Sequence, residues 1–283
     1  MSAIDIEYLR GWVGREQSVQ DQLALFPARA LAAALDRESL PEVGDELPPA
    51  WQWLYFHDTP LQRDLGPDGH PRTGGFLPPV PLPRRMWAAG EFASRRPLLL
   101  GRDAERRSVV TSVELKRGSS GTLVFVSLEH NIQQDGRPCL FERQHLVYRE
   151  MPTGPGVLPG GQVAPVDADF RVPFVPDPVL LFRYSALTYN AHRIHYDHAY
   201  ATGYEHYPAL VVHGPLLATL LREQASRQLP EQRLTGLEFR ALRPSFVGDR
   251  LQLCGRREGD TLELWAENQD GYLTMTATLG VMA

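Results

Sequence analysis

Runs of alternating apolar and polar residues occur twice along this chain, in two groups of three. The first group is ERRSVVTSVELKR, GTLVFVSLEHNI and CLFERQHLVYRE, all after position 101. The second is DRLQLCGRRE, TLELWAENQ and YLTMTATLGVMA, all after position 248. In the last run Leu273, Met275, Ala277 and Leu279 alternate with Thr274, Thr276 and Thr278, the period of a strand with one buried face. Gly, Asp, Ser and Gln turns separate the runs, so each group predicts an antiparallel meander. Ahead of each group the period changes. LFPARALAAALDRE at 25–38 is rich in good helix formers. HGPLLATLLREQASRQ at 213–228 sets Leu216, Leu217, Leu220 and Leu221 on one stripe. Pro27 and Pro215 fall near the first turns, where a missing amide proton costs little.

A short repeat joins the two groups. EFASRRPLLLG at 91–101 aligns without a gap on EFRALRPSFVG at 238–248, matching Glu91 to Glu238, Phe92 to Phe239, Arg96 to Arg243, Pro97 to Pro244 and Gly101 to Gly248. The offset is about half the chain, which points to a duplicated unit. Each half then reads as one apolar helix followed by a curved antiparallel sheet. The expected class is α+β, a tandem (double) hot-dog fold. The halves differ. ELPPAWQWLYFHDTPLQRDLGPDGHPRTGGFLPPVPLPRRMW, within an insert at about 40–88, is too rich in Pro and Gly for regular helix. Its aromatic residues Trp51, Trp53, Tyr55 and Phe56 predict a packed loop. MPTGPGVLPGGQVAPVDADF at 151–170 has linker composition. This sets an N-terminal half at 1–155, expected to shape the substrate site without catalysing, and a catalytic C-terminal half at 156–283.

Chemistry concentrates in LTYNAHRIHYDHAYA at 187–201, which holds Asn190, His192, Arg193, His195, Asp197 and His198. A strand-like run at 180–187 leads into it. HYDHAYA ends in small residues that suit a short helix with Asp197 as its N-cap. The window is therefore expected to be a loop at the mouth of the sheet, where catalytic groups tend to sit.

The window resembles the hydratase motif of the MaoC-like superfamily, which reads roughly S-G-D-x-N-P-[LIV]-H-x-D. Ile194, His195 and Asp197 match it, while Asn190 stands where most members carry a carboxylate. VVHGPLLATLL resembles the family's His-Gly at the head of the hot-dog helix. GPDGHPRTGGFLPPVPLPRRMWAAGEF resembles the double hot-dog branch that includes fungal mitochondrial 3-hydroxyacyl-thioester dehydratases and bacterial mesaconyl-C4-CoA and itaconyl-CoA hydratases. The resemblance implies water addition to the C=C of an enoyl-CoA thioester, with a C5 dicarboxylic acyl-CoA hydrated to citramalyl-CoA as the best substrate match. It implies His195 as the base, because an imidazole titrates close to operating pH. Gly214, at a helix N-terminus, would stabilise the enolate oxygen. Asn190 would hold the water, and Asp197 and His213 are supporting candidates. Arg84 or Arg85 is expected at the acyl carboxylate, with Arg193 as a further anion ligand. No cofactor is implied, and a homodimer is a candidate assembly.

Composition narrows the alternatives. The formal net charge is −5 over 283 residues, which does not favour a nucleic-acid partner. His192, His195 and His198 recur every third residue, without the Cys or Glu that would complete a zinc set, so no metal is expected. GPDGHPRTGG lacks the Lys-Ser/Thr of a phosphate-binding loop, and no Gly-x-Ser-x-Gly frames a nucleophile. Cys139 and Cys254 fit reduced thiols. The acidic N-terminal stretch and the lack of a long apolar run predict a cytoplasmic protein with no membrane partner. Two rival readings stay open: a dehydratase or thioesterase for ordinary acyl chains, and a non-catalytic acyl-CoA-binding protein.

Overall fold

The structure, a computed structural model, describes residues 4–118, 121–152, 154 and 160–282. In chain order its elements are α1 (Ile6–Arg10), β1 (Glu16–Gln22), α2 (Leu25–Ala34), β2 (Arg84–Ser94), β3 (Asp103–Gly118), β4 (Gly121–Gln134), β5 (Arg137–Arg149) and β6 (Phe170–Phe174). There follow α3 (Pro178–Leu187), α4 (His198–Gly203), α5 (Gly214–Gln228), β7 (Arg233–Ala241), β8 (Leu251–Glu258), β9 (Thr261–Glu267) and β10 (Leu273–Met282). The expected boundary at 155/156 lies outside the described residues.

Ten strands form one sheet in the order β1-β3-β4-β5-β2-β7-β10-β9-β8-β6. Reading outward from the β2–β7 junction, the two halves repeat the same order. The repeat found in the sequence sits on that junction: Glu91 pairs with Glu238 across it, and Gly90 with Phe239. The two aligned segments are thus antiparallel neighbours about a local two-fold. Gly101 and Gly248 also correspond in conformation, with φ of 83° and 87°, a region that disfavours a Cβ. The double hot-dog architecture is therefore present.

In the C-terminal half, α5 lies against β7–β10 and buries Leu216, Leu217, Leu220 and Leu221. Each such leucine contributes about 1.5–3 kcal/mol relative to an exposed position. The alternation expected in β10 holds, with Leu273, Met275, Ala277 and Leu279 inside.

Two expectations are corrected. The run at 180–187 is helical, not strand-like. Asp177 caps α3 by accepting from the amides of Val179 and Leu180, and Pro178 occupies the first turn. Leu180, Leu181, Tyr184 and Ser185 are buried, a 3.6-residue stripe that a single apolar run conceals. The helix at 25–38 is shorter, ending at Ala34, and it does not correspond to α5. It packs on α3 and follows β1 as α3 follows β6, so α2 and α3 are the matching pair. Among the described residues the N-terminal half has no long central helix. The insert occupies that region instead, with Trp51, Leu54, Tyr55 and Phe56 buried, and so behaves as the packed loop expected.

Candidate functional site

Tyr189 ends α3 in a left-handed conformation, φ 49°, and the chain turns sharply. The Asn190 amide donates to the Ser185 carbonyl (2.9 Å), and its Oδ1 accepts from the His192 amide (3.0 Å). Asn190 thereby shapes the loop through its oxygen and leaves its NH2 uncommitted to that turn. Residues Arg193–His195 form one 3-10 turn. The Val211 amide donates to the Ile194 carbonyl (3.0 Å), and His195 Nδ1 lies 2.8 Å from the Val211 carbonyl. A carbonyl only accepts, so Nδ1 carries the proton and Nε2 keeps its lone pair. Three residues beyond Val211 is Gly214, the first residue of α5.

His195 and Gly214 line one cavity of about 940 Å³ together with Asn190, His192 and His213. This is the juxtaposition of imidazole and helix N-terminus that the sequence implied. First-turn amides of a helix have no intrahelical partner. Where Gly214 meets the cavity, an added Cβ would have only the Trp87 carbonyl oxygen near it, at 3.6 Å. His195 is stacked on His213, ring centroids 3.7 Å apart, and His213 Nε2 is 2.8 Å from the Ser185 hydroxyl. His213 thus orients the His195 ring. Burial pushes the His195 pKa down to about 3, and burial also holds His213 well below its ordinary value. Both rings are neutral at pH 7.

The remaining expectations divide. Asp197 caps α4, accepting from the Tyr200 amide (3.0 Å), and pairs with Arg193 (2.7 Å). It supports the loop and does not line the cavity. Arg193 is corrected as an anion ligand: besides Asp197 it reaches the Pro67 carbonyl (3.0 Å) and lies over the Tyr200 ring. Arg84 is corrected as well. It is buried against Glu205 (2.9 Å), bonds the Tyr207 hydroxyl, and lies outside the cavity lining. Strand alternation sends its neighbour Arg85 to the other face, where it lines the cavity. His198 is exposed at the start of α4, so the three evenly spaced histidines do not converge.

Several contributors escaped the sequence reading. The insert clamps the motif loop: the Arg193 amide donates to the Asp68 carbonyl (2.9 Å), and Gly69, φ +90°, packs so tightly that a Cβ would lie 1.9 Å from the Ala191 oxygen. His70 bonds Asp68 (2.9 Å) and stacks near His192, centroids 4.1 Å apart. Asp68, His70 and His192 place ligand-type atoms within 4.8 Å of one another, a set of the kind zinc accepts, although here Asp68 and His70 are bonded to each other. The only signal for this contact was the Gly-Pro-Asp-Gly-His-Pro cluster, whose partner is more than a hundred residues away.

Comparison with known proteins gives a consistent picture. A family model described as hydroxyacyl-thioester dehydratase type 2 matches residues 50–247. The chain is 43% identical over 270 residues to mesaconyl-C(4)-CoA hydratase of Chloroflexus aurantiacus, covering 95% of this chain and 96% of that one. Among solved structures, a MaoC-like dehydratase from Phytophthora capsici superposes with a TM-score of 0.68 at 14% identity, covering 99% and 98% of the two chains. A Mycobacterium tuberculosis protein described as a double hotdog fold gives 0.62 at 14% identity, covering 95% and 96%.

Proposed function

The chain belongs to the hydroxyacyl-thioester dehydratase type 2 family, and from that membership we propose that it is a hydro-lyase acting on an enoyl-CoA thioester. The observation that carries the reading is the shared cavity, in which the free Nε2 of His195 and the first turn of α5 at Gly214 both face the space a thioester would fill.

The chemistry follows from those two groups. His195 Nε2 takes a proton from water as the water oxygen bonds to Cβ. The electron pair of the C=C shifts toward the thioester oxygen, which accepts from the Gly214 amide and is favoured by the helix dipole. The His195 imidazolium then delivers its proton to Cα, so water is consumed and no other reagent is needed. The Asn190 NH2 holds the water; an amide does not take the proton itself. A pKa held at about 3 by burial is low for this task. A bound anionic acyl group and the developing enolate both favour the imidazolium and raise it.

The substrate is a C5 dicarboxylic acyl-CoA, mesaconyl-C4-CoA or itaconyl-CoA, with citramalyl-CoA as product. The support is the 43% identity to a mesaconyl-C4-CoA hydratase over nearly all of both chains. Arg85, cationic and on the cavity wall, suits an anionic part of such a substrate. The N-terminal half shapes the pocket and the C-terminal half catalyses. The test is turnover of mesaconyl-C4-CoA, itaconyl-CoA and crotonyl-CoA by the purified protein. Hydration of mesaconyl-C4-CoA in preference to crotonyl-CoA supports the reading; turnover of none of the three overturns it. Among the described residues no helix is long and apolar enough to cross a membrane.

A further inference from the structure

A water held for attack has two lone pairs and two O–H groups to place. In the proposed hydration one lone pair goes to Cβ and one O–H to His195 Nε2. The Asn190 NH2 donates to the other lone pair, because the Asn190 Oδ1 is turned onto the His192 amide (3.0 Å). The second O–H still needs an acceptor, and an O–H left unbonded away from bulk water costs free energy. The oxygens nearest the motif loop are turned to other groups. The Val211 carbonyl accepts from His195 Nδ1 (2.8 Å), and the His192 carbonyl accepts from the His195 amide (3.2 Å). The Ala191 carbonyl accepts from the Tyr196 hydroxyl (3.1 Å), and the Ser185 hydroxyl is 2.8 Å from His213 Nε2.

His192 can supply the missing acceptor. It is 5% exposed and lines the same cavity as Asn190, His195 and Gly214. Its ring stands edge-on to His195, with centroids 5.4 Å apart and planes at 89°. Two hydrogen bonds of about 2.8 Å to one water bridge acceptors about 4.6 Å apart, which suits nitrogens on rings so spaced. The two nitrogens of His192 have different surroundings. Nε2 is sealed in the protein and closes no hydrogen bond, but Glu205 Oε1 is 3.5 Å from it. Glu205 is buried, and its other oxygen accepts from Arg84 Nε (2.9 Å), so this carboxylate is fixed in place. A lone pair facing a buried carboxylate is repelled, whereas an N–H is attracted. A neutral ring therefore carries its proton on Nε2 and its lone pair on Nδ1. With Nε2 sealed, Nδ1 is the nitrogen left to face the cavity. Asp68, whose ligand-type atoms lie within 4.8 Å of those of His192, does not compete for the ring proton. Its oxygens accept from the His70 amide (3.1 Å) and His70 Nδ1 (2.9 Å).

We propose that His192 is a second catalytic residue: its Nδ1 accepts from the O–H of the attacking water that His195 does not take, and Glu205 is the positioning residue that sets its tautomer. The assignment deepens the proposed hydration and rests on it. His195 removes one proton from the water. The other stays on the oxygen, becomes the hydroxyl proton of the product and keeps donating to His192. His192 itself gains no proton, and no further reagent is needed.

The experiment measures kcat and KM separately for His192→Leu, His192→Asn and Glu205→Gln, with whichever of mesaconyl-C4-CoA and crotonyl-CoA the wild type hydrates faster. All three keep the backbone amide that holds Asn190. Leucine removes the acceptor, and kcat should fall ~10-fold or more with KM within about twofold. Asparagine returns an oxygen close to the place of Nδ1 and should restore kcat to within about threefold of wild type. In Glu205→Gln, Arg84 keeps the amide oxygen and the NH2 faces Nε2, which moves the ring proton to Nδ1; kcat should again fall ~10-fold. An unchanged kcat in His192→Leu, equal loss in the leucine and asparagine variants, or a change confined to KM overturns the assignment. A second measurement needs no variant to be active. The 15N spectrum of histidine-labelled wild type, taken above the ordinary titration range of imidazole, reads the tautomer directly. Protonation of His192 at Nε2 supports the assignment, and protonation at Nδ1 overturns it. Failure of the wild type to hydrate either substrate would instead defeat the functional reading.

Discussion

Gly69→Ala isolates the clamp between the insert and the motif loop. Gly69 has φ +90°, and the added Cβ would sit 1.9 Å from the Ala191 carbonyl oxygen and 2.9 Å from its carbon. Holding an alanine in a left-handed conformation costs about 1–2 kcal/mol. The overlap is with backbone and cannot be relieved by a rotamer change, so the two segments must separate by about 1.5 Å to restore ordinary contact. Separation gives up the Arg193 amide bond to Asp68 and the Arg193 guanidinium bond to Pro67, each contributing about 0.5–1.5 kcal/mol. The expected loss is about 3 kcal/mol, or roughly 6–12 °C in Tm for a chain of this size. The motif loop carries His195, and a displacement of about 1 Å there is expected to lower kcat/KM ~100-fold. Gly74→Ala is the control. Gly74 is also left-handed, φ +105°, but its Cβ would find only the Pro79 Cβ, at 3.7 Å. It should show the conformational cost alone. Differential scanning fluorimetry and turnover of crotonyl-CoA read both variants. If Gly69→Ala behaves like Gly74→Ala in both assays, the clamp does not hold the catalytic loop.

Gly214→Ala tests the helix end: a Cβ meets no protein atom closer than 3.6 Å, so Tm should stay near wild type while kcat/KM falls at least ~10-fold, and equal loss of both would point to packing instead. Arg84→Met should destabilise by about 3–5 kcal/mol, because it leaves Glu205 buried without its guanidinium partner and with only His192 Nε2, 3.5 Å away, facing it; urea denaturation showing less than about 1 kcal/mol would refute a structural role for that pair. Stability should fall as pH drops. Burial holds His195 and His130 at about 3 and keeps His213 low, so between pH 6.5 and 3 the unfolded chain binds more protons than the folded one. The contribution of these rings is complete above about pH 6.5 and declines below it by up to about 1.4 kcal/mol per pH unit for each. Urea midpoints at pH 7.5, 6 and 5 should decrease in that order, and a flat or rising series would contradict neutral burial.

Much of the fold was legible because its signals are local. The alternation in β10 and the leucine stripe of α5 each need only a short window. The aligned Glu-Phe and Arg-Pro segments disclosed the duplication because both copies must cross the same junction and turn at a left-handed glycine, Gly101 or Gly248. The helix α3 was missed for a physical reason: in VLLFRYSAL the buried set reads equally as a strand until Asp177-Pro178 is taken as a capped helix start. In the candidate site, His195 and Gly214 were singled out by the resemblance to the hydratase motif, and the capping role of Asp197 by the small residues that follow it. Arg84 and Arg85 are adjacent and chemically alike. Only the pleat of β2 and the position of Glu205 decide which of them faces the cavity. The Asp68–Gly69–His70 clamp depends on contacts between distant segments, and no local pattern encodes it.

Replacing His195 by alanine and measuring kcat/KM with mesaconyl-C4-CoA tests the central claim most directly. With Nδ1 fixed by the Val211 carbonyl, Nε2 is the only ring atom able to take the water proton. The expected result is a loss of ~100-fold or more in a protein that remains folded. Retention of activity within about threefold of wild type, about 0.7 kcal/mol in barrier, would show that the imidazole facing Gly214 is not the base.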